Sequence, residues 1–199
     1  MNKVITISRE YGAGGHAIGK RVAQELGIEI YDKDIVRETV KASGYEKELV
    51  EQEGEDVSKT GSILKSICGN SAFYPNPQDA IHDVQQAVIL QFAQAGPCVI
   101  LGRCADEVLR ATDIKALNVF IYADDLHRAA RLSGMTGVTD PAELQKMMAK
   151  KDASRRAYYA HYTGKRWGDC HNYDLSLDSG ALGDDLCVKL IVDAARAEE

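Results

Sequence analysis

The chain has 199 residues, a formal net charge of −6, 45% hydrophobic and 27% charged residues, enough for one domain with a sizeable core that needs neither disulfides nor metal. That acidity argues against a general nucleic-acid binder, whose surface must neutralise many phosphates with Lys and Arg, so any anion site has to be local. The five cysteines (Cys68, Cys98, Cys104, Cys170, Cys187) are odd in number, scattered and without C-x-x-C spacing, the pattern of reduced thiols rather than of a disulfide framework or a zinc site.

Val4 to Ile7 is a short β-branched run, too short for a leader or a membrane span, so a cytoplasmic protein with no membrane partner is the expectation. It runs into the glycine-rich turn Gly12-Ala13-Gly14-Gly15, and Ile18, Val22, Ala23 and Leu26 follow at helical spacing, which predicts strand, loop, helix. Gly27 closes that helix, Ile28 to Tyr31 reads as a second strand with Asp32 at its end, and a helix is expected from about Asp34 to Ser43. From Glu46 to Pro77 the periodicity weakens into acidic and polar stretches with Gly54, Gly61, Gly69 and a turn-rich end, read as short helices in a mobile insertion at about 40–80. Ile81, Val84, Val88, Ile89 and Phe92 mark a long helix, and Cys98 to Leu101 a buried strand leading into Gly102-Arg103. Ala116 to Tyr122 is a fourth strand, followed by a helix carrying Arg128 and Arg131.

Asp140-Pro141-Ala142-Glu143 sets an N-cap candidate before proline and a first-turn carboxylate, opening a helix that runs through Tyr162. Tyr173 to Leu177 makes a fifth strand, and Leu182 to Ala197 a closing helix expected to present Leu186, Leu190, Ile191 and Ala194 on one face. Strands alternating with helices predict an α/β fold with a parallel sheet covered on both faces. Ligands of such folds sit outside the carboxyl ends of the strands, where Ser8-Arg9, Asp32 and Gly102-Arg103 fall.

Glycines after the first strand let backbone N–H groups converge on an anion at a helix N-terminus. The segment is not a Walker A motif: set against G-x-x-x-x-G-K-[ST], Arg9 stands at the first glycine and Gly15 at the lysine, and the serine or threonine hydroxyl is missing. A plain tight turn between strand and helix explains the glycines equally well.

The segment Ile5-Thr6-Ile7-Ser8-Arg9-Glu10-Tyr11-Gly12-Ala13-Gly14-Gly15-His16-Ala17-Ile18-Gly19 resembles the opening of the cytidylate-kinase-like family. Tyr31-Asp32-Lys33, Val99-Ile100-Leu101-Gly102-Arg103-Cys104-Ala105-Asp106, Lys151 to Tyr159, Trp167-Gly168 and Asn172-Tyr173-Asp174-Leu175 are similar to later segments of that family, in the same order. The resemblance implies a three-layer P-loop NTPase-type core with a five-stranded parallel sheet, a helical acceptor-binding insertion at about 40–80 and a helical lid at about 134–168. The activity it implies is transfer of the ATP γ-phosphate to a nucleoside monophosphate such as CMP or dCMP, with Mg²⁺. Partners would then be small nucleotides and no nucleic acid, with a homodimer as a further expectation.

On that resemblance Arg103 grips the acceptor phosphate, since its planar fork matches phosphate oxygens, against an ion pair with Asp106. Asp152, Arg155 and Arg156 belong to the lid helix, with Tyr159 seven residues after Asp152; a solvated charged helix is the competing account. Ser8, Arg9, Gly12, Ala13, Gly14, Gly15 and His16 form the phosphate cradle, with Arg9 alternatively a partner of Glu10 and His16 simply solvated. Asp32 holds an acceptor group or a metal-bound water, or else caps the next helix. Arg128 and Arg131 lie near the donor, or belong to a surface helix paired with Asp124 and Asp125. Trp167 stacks on a base or packs under the lid. Acceptor choice would rest on residues 40–80 and the helix around Gln85-Gln86. With no Walker lysine, two other functions stay open: a catalytically weak nucleotide-binding regulator, and a kinase for another small metabolite.

Overall fold

Short runs rich in β-branched and other apolar residues form the strands, most continuously in the central ones, where both faces of the parallel sheet are buried. A computed structural model describes residues 4–47, 50 and 77–197. In chain order these form β1 (Val4–Arg9), α1 (Gly15–Leu26), β2 (Glu29–Tyr31), α2 (Lys33–Ser43), α3 (Pro77–Ala95), β3 (Cys98–Leu101), α4 (Ala105–Arg110), β4 (Ala116–Tyr122), α5 (Asp125–Thr136), α6 (Pro141–Thr163), β5 (Leu175–Asp178) and α7 (Ser179–Arg196). The strands make one parallel sheet in the order β2-β3-β1-β4-β5. β1 is central, with Ile5 opposite Val99 on one side and Leu117 on the other. The strand order reverses about β1, which puts the crevice for a ligand at its carboxyl end.

Alternation along the strands divides the core into two layers. Ile5, Ile7, Val99, Leu101, Val119 and Ile121 pack under α1 and α7, while Val4, Cys98 and Ile100 pack against α2, α3 and α4. Helices on both faces make three layers in all. Gly19 lets α1 lie close on the sheet, since a Cβ there would meet Leu101 Cδ2 at 3.0 Å and Ile7 Cδ1 at 3.2 Å. A third, aromatic cluster of Phe120, Tyr158, Tyr159, Trp167 and Tyr173 ties α6 to the sheet.

The cap expected at Asp140 forms, and Asp124 caps α5 as well. Asp140 accepts from Glu143 N at 3.2 Å with Pro141 opening α6, and Asp124 accepts from His127 N at 2.9 Å. Three expectations are corrected. α4, six residues long, is too short to leave a periodic signal. α3 begins at Pro77, read above as the end of a turn; proline suits a first helical position because its missing N–H is not needed there. α7 begins at Ser179 and is broken at Gly183 (φ 75°). Its buried face is Cys187, Val188, Ile191, Val192 and Ala195, whereas Leu186 and Leu190 are exposed. Most of the insertion expected at about 40–80, and Cys68 with it, lies outside the described residues. Among those described, no helix is long and apolar enough to cross a membrane.

Candidate functional site

Two glycines in the loop after β1 have positive φ, Gly12 at 86° and Gly14 at 83°, a region other residues enter at a cost. Both are also needed for space. A Cβ on Gly12 would lie 2.9 Å from the Arg128 carbonyl, and one on Gly14 2.7 Å from Cζ of Arg131. The loop is fastened from outside. Ser179 Oγ donates to the Ala13 carbonyl at 2.6 Å, and Tyr11 N donates to Asp152 Oδ1 at 2.9 Å. α1 begins at Gly15 behind Gly14, with no side chain capping it, so its first N–H groups and the positive end of its dipole open on the rim.

Beside the loop lies a narrow cleft of about 20 Å³ whose charged lining is Arg9, Arg103 and Arg155. Arg103 reaches it through a left-handed turn, Gly102, Arg103 and Cys104 having φ of 70°, 58° and 54°. Two consecutive non-glycine residues in that region cost on the order of 1–3 kcal/mol each, a strain found mostly at functional sites. Arg155 Nη1 donates to the Arg9 carbonyl at 2.7 Å and its guanidinium sits 5.9 Å from the centre of the Tyr11 ring. Trp167 Nε1 donates to Ser8 Oγ at 2.9 Å and its ring meets Phe120 edge-on, so the tryptophan packs with Tyr158 and Tyr159 of α6 while facing the cleft. Behind Arg103, Tyr159 donates to Asp106 at 2.7 Å. Burial raises the Asp106 carboxyl above the usual range, with the Tyr159 bond opposing.

Other predicted residues are placed elsewhere. Arg128 is not on a surface helix face: it is 5% exposed, donates from Nε to the Tyr11 carbonyl at 2.8 Å, and reaches Glu10 and Asp152 with its other nitrogens, although the expected pairing with Asp125 is present at 3.7 Å. Asp152 therefore faces Arg128 and the Tyr11 amide, away from the cleft lining. Asp124 engages His127, leaving Arg131 to a two-pronged pair with Asp184 at 2.6 and 3.0 Å. Arg156, one residue round the helix from Arg155, is exposed and outside the cleft. His16 and Asp32 meet at 3.0 Å near the rim, and Asp32 makes no side-chain cap to α2. Cys104 is buried in the aromatic cluster while Cys170 is exposed, so the two do not form a metal centre.

The far wall joins α3 to α6. His82 Nδ1 and the Tyr158 hydroxyl are 2.7 Å apart, Tyr158 donates to Gln85 Oε1 at 3.2 Å, and the His82 ring stacks on Tyr162 at 3.5 Å. Burial lowers His82 from 6.5 to about 4. Gln85 is 1% exposed and its Nε2 has no hydrogen-bond partner. The sequence singles out neither Tyr11 nor Asp184, and offers Glu10 and Asp106 only as partners of Arg9 and Arg103; Tyr11 lies inside the glycine segment, but Asp184 carries no local signal.

A parallel sheet ordered 2-3-1-4-5 with an anion loop after the central strand defines the P-loop kinase class of fold. A shikimate kinase from Bacteroides thetaiotaomicron has this fold, with a TM-score of 0.58 at 13% identity, covering 99% of this chain and 100% of that one. A crystal structure of an uncharacterized protein from Eubacterium ventriosum is 26% identical with a TM-score of 0.72, covering 98% and 99%. No curated protein matches the chain. The cytidylate kinase-like family model matches residues 4–181, and the chain belongs to that family. Family and fold together support a phosphotransferase.

Proposed function

We propose that the protein transfers the γ-phosphoryl group of ATP to a nucleoside monophosphate, CMP or dCMP before others. The observation that carries this reading is the convergence of Arg9, Arg103 and Arg155 on one cleft beside an uncapped helix N-terminus. Phosphoryl transfer needs in-line positioning and positive charge more than covalent help, and three guanidinium groups on one lining supply donors that match phosphate oxygens. The donor lies along the loop, its phosphates on the α1 amides; the acceptor phosphate lies in the cleft on Arg103 and Arg155. An acceptor oxygen forms a bond to the γ-phosphorus as the bond to the β,γ-bridging oxygen breaks, and ADP leaves with that oxygen. The acceptor phosphate is largely a dianion at neutral pH, so its oxygen attacks without a general base.

Mg²⁺ takes oxygen ligands and keeps several waters. Asp32 fits that need as the carboxylate beside His16 at the start of α1, holding a metal-bound water; the ion neutralises charge on the donor's β- and γ-oxygens when bound. The buried amide of Gln85, behind Tyr158 on the cleft wall, supports a polar acceptor ring. A cytoplasmic setting fits the free thiols of Cys98, Cys104, Cys170 and Cys187. The missing Walker lysine favours a second reading, a nucleotide-binding regulator without turnover.

One assay separates the two: ADP formation from ATP and Mg²⁺ against a panel of nucleoside monophosphates. Turnover with CMP or dCMP is the expected result. Nucleotide binding without turnover on any acceptor would sink the kinase reading.

A further inference from the structure

In the pattern G-x-x-x-x-G-K-[ST] the first position is glycine and the seventh lysine. This chain has the two exchanged: Arg9 at the first position and Gly15 at the seventh. The structure brings them together. A Cβ built on Gly15 would lie 2.6 Å from Arg9 Cβ, 2.8 Å from its Cγ and 3.6 Å from its Cδ. The arginine stem thus fills the volume into which a lysine at position 15 would project, and the side chain continues to the cleft.

We propose that Arg9 does the work of the Walker lysine, delivering its charge to the β- and γ-phosphates of the donor across the bare α-carbon of Gly15. Two further features fit. Gly15 is absent from the positive-φ residues, so its glycine is not demanded by backbone conformation but by the arginine lying on it. Arg9 itself is anchored where a stem crossing the loop needs to be: it ends β1, opposite Ile121, and its carbonyl accepts from Arg155. The exchange explains how a chain of this family dispenses with the lysine without losing the cation. An arginine fork also engages two phosphate oxygens at once where an ammonium acts as a point charge.

The inference rests on the kinase reading, and reciprocal substitution tests it separately from that reading. ATP, ADP and AMP binding are measured by titration calorimetry and by the fluorescence of Trp167, the chain's one tryptophan, which lines the same cleft. Arg9→Met keeps a stem and removes the charge; it is expected to weaken ATP and ADP by roughly ten- to hundredfold, as the loss of a charge-assisted contact does, and to leave AMP unchanged. Gly15→Lys alone is expected to lose binding too, because the new Cβ meets the Arg9 stem. Arg9→Gly with Gly15→Lys puts glycine and lysine at the first and seventh positions and is expected to bind ATP within about fivefold of the parent, well above Arg9→Gly alone. Equal loss for all three nucleotides would mark Arg9 as a structural residue and overturn the proposal. So would Arg9→Met binding ATP like the parent, or a double variant no better than Arg9→Gly. A parent protein that binds no ATP overturns the kinase reading as well.

Discussion

Arginines stand on both sides of the glycine loop, and the two sides differ in what their guanidinium groups face. On the α5 side Arg128 is buried against the carboxylates of Glu10 and Asp152 and the carbonyl of Tyr11. On the β3 side Arg9, Arg103 and Arg155 line a cleft together, Arg103 itself buried. The first arrangement closes on itself and fixes the loop's shape; the second brings three guanidinium groups to one lining. Substitutions should separate the two by stability against activity.

The largest effect is expected behind the loop. Arg128→Ala leaves the buried Asp152 carboxylate with the Tyr11 amide but without its cationic partner, which costs about 3–5 kcal/mol, a large share of the roughly 5–15 kcal/mol that holds such a domain folded. Urea unfolding measures it. Arg128→Met with Asp152→Leu should recover much of the loss, since two apolar side chains replace a matched pair more cheaply than a half-empty one. If Arg128→Ala unfolds at the parent's urea midpoint, the closed side of the comparison is wrong.

Next comes Arg103 in front. Arg103→Gln is expected to reduce kcat/KM by roughly 10²–10³-fold, the usual consequence of removing a charge-stabilising donor from a reaction centre. Its urea midpoint should change far less than that of Arg128→Ala. Steady-state kinetics on the best acceptor decides, and a loss of stability as large as that of Arg128→Ala would place Arg103 with the structural side.

This contrast also marks where the sequence stops being legible. The five strands are visible because short apolar or β-branched stretches recur between helical patterns, most plainly in β1, β3 and β4, where burial on both faces leaves few polar positions. β1, β3 and β4 start where their residues predict, and the glycine loop lies between β1 and α1 as its composition requires. Sequence could not tell Arg128 from Arg103. Both follow a buried strand, and their difference depends on Asp152, 24 residues after one of them, and on a left-handed turn at Gly102-Arg103-Cys104 that no spacing announces. Arg155 and Arg156 were likewise equivalent on paper; one step of about 100° round α6 sends one to the cleft and the other to solvent. Asp32 lost its capping alternative to His16, a pairing 16 residues apart that needs β2 beside β3 to be seen.

A smaller effect belongs to the α3–α6 wall. His82 is held neutral by burial, from 6.5 down to about 4, with Asp79 and Asp83 opposing and His161 adding to the depression; Tyr158 and Tyr162 face its ring. Between those two pH values the unfolded chain takes up a proton that the folded one refuses, so stability falls as pH drops. Above about 6.5 neither state is protonated at His82 and this contribution is constant; below about 4 both are protonated and no further loss comes from it. Urea midpoints from pH 7.5 to 4 should therefore decline, and His82→Phe, which keeps a ring against Tyr162, should decline less steeply. Parallel profiles for the two proteins would remove His82 as the cause.

The smallest effect is at the rim, where the comparison is sharpest because stability hardly enters. His16 is 62% exposed in its side chain and Asp32 24%, and an exposed pair of this kind contributes about 0–1 kcal/mol. His16→Ala should accordingly leave the urea midpoint near the parent's. Asp32→Asn should leave it there as well, yet an amide holds a metal-bound water less well than a carboxylate does. If Asp32 serves Mg²⁺, Asp32→Asn raises the Mg²⁺ concentration for half-maximal ATP binding several-fold while binding of metal-free ATP holds or improves, because a negative charge has left the neighbourhood of the phosphates. His16→Ala should show no such Mg²⁺ dependence. Equal Mg²⁺ requirements for parent, His16→Ala and Asp32→Asn would assign this pair to the solvated surface and leave the metal to water and phosphate oxygens alone.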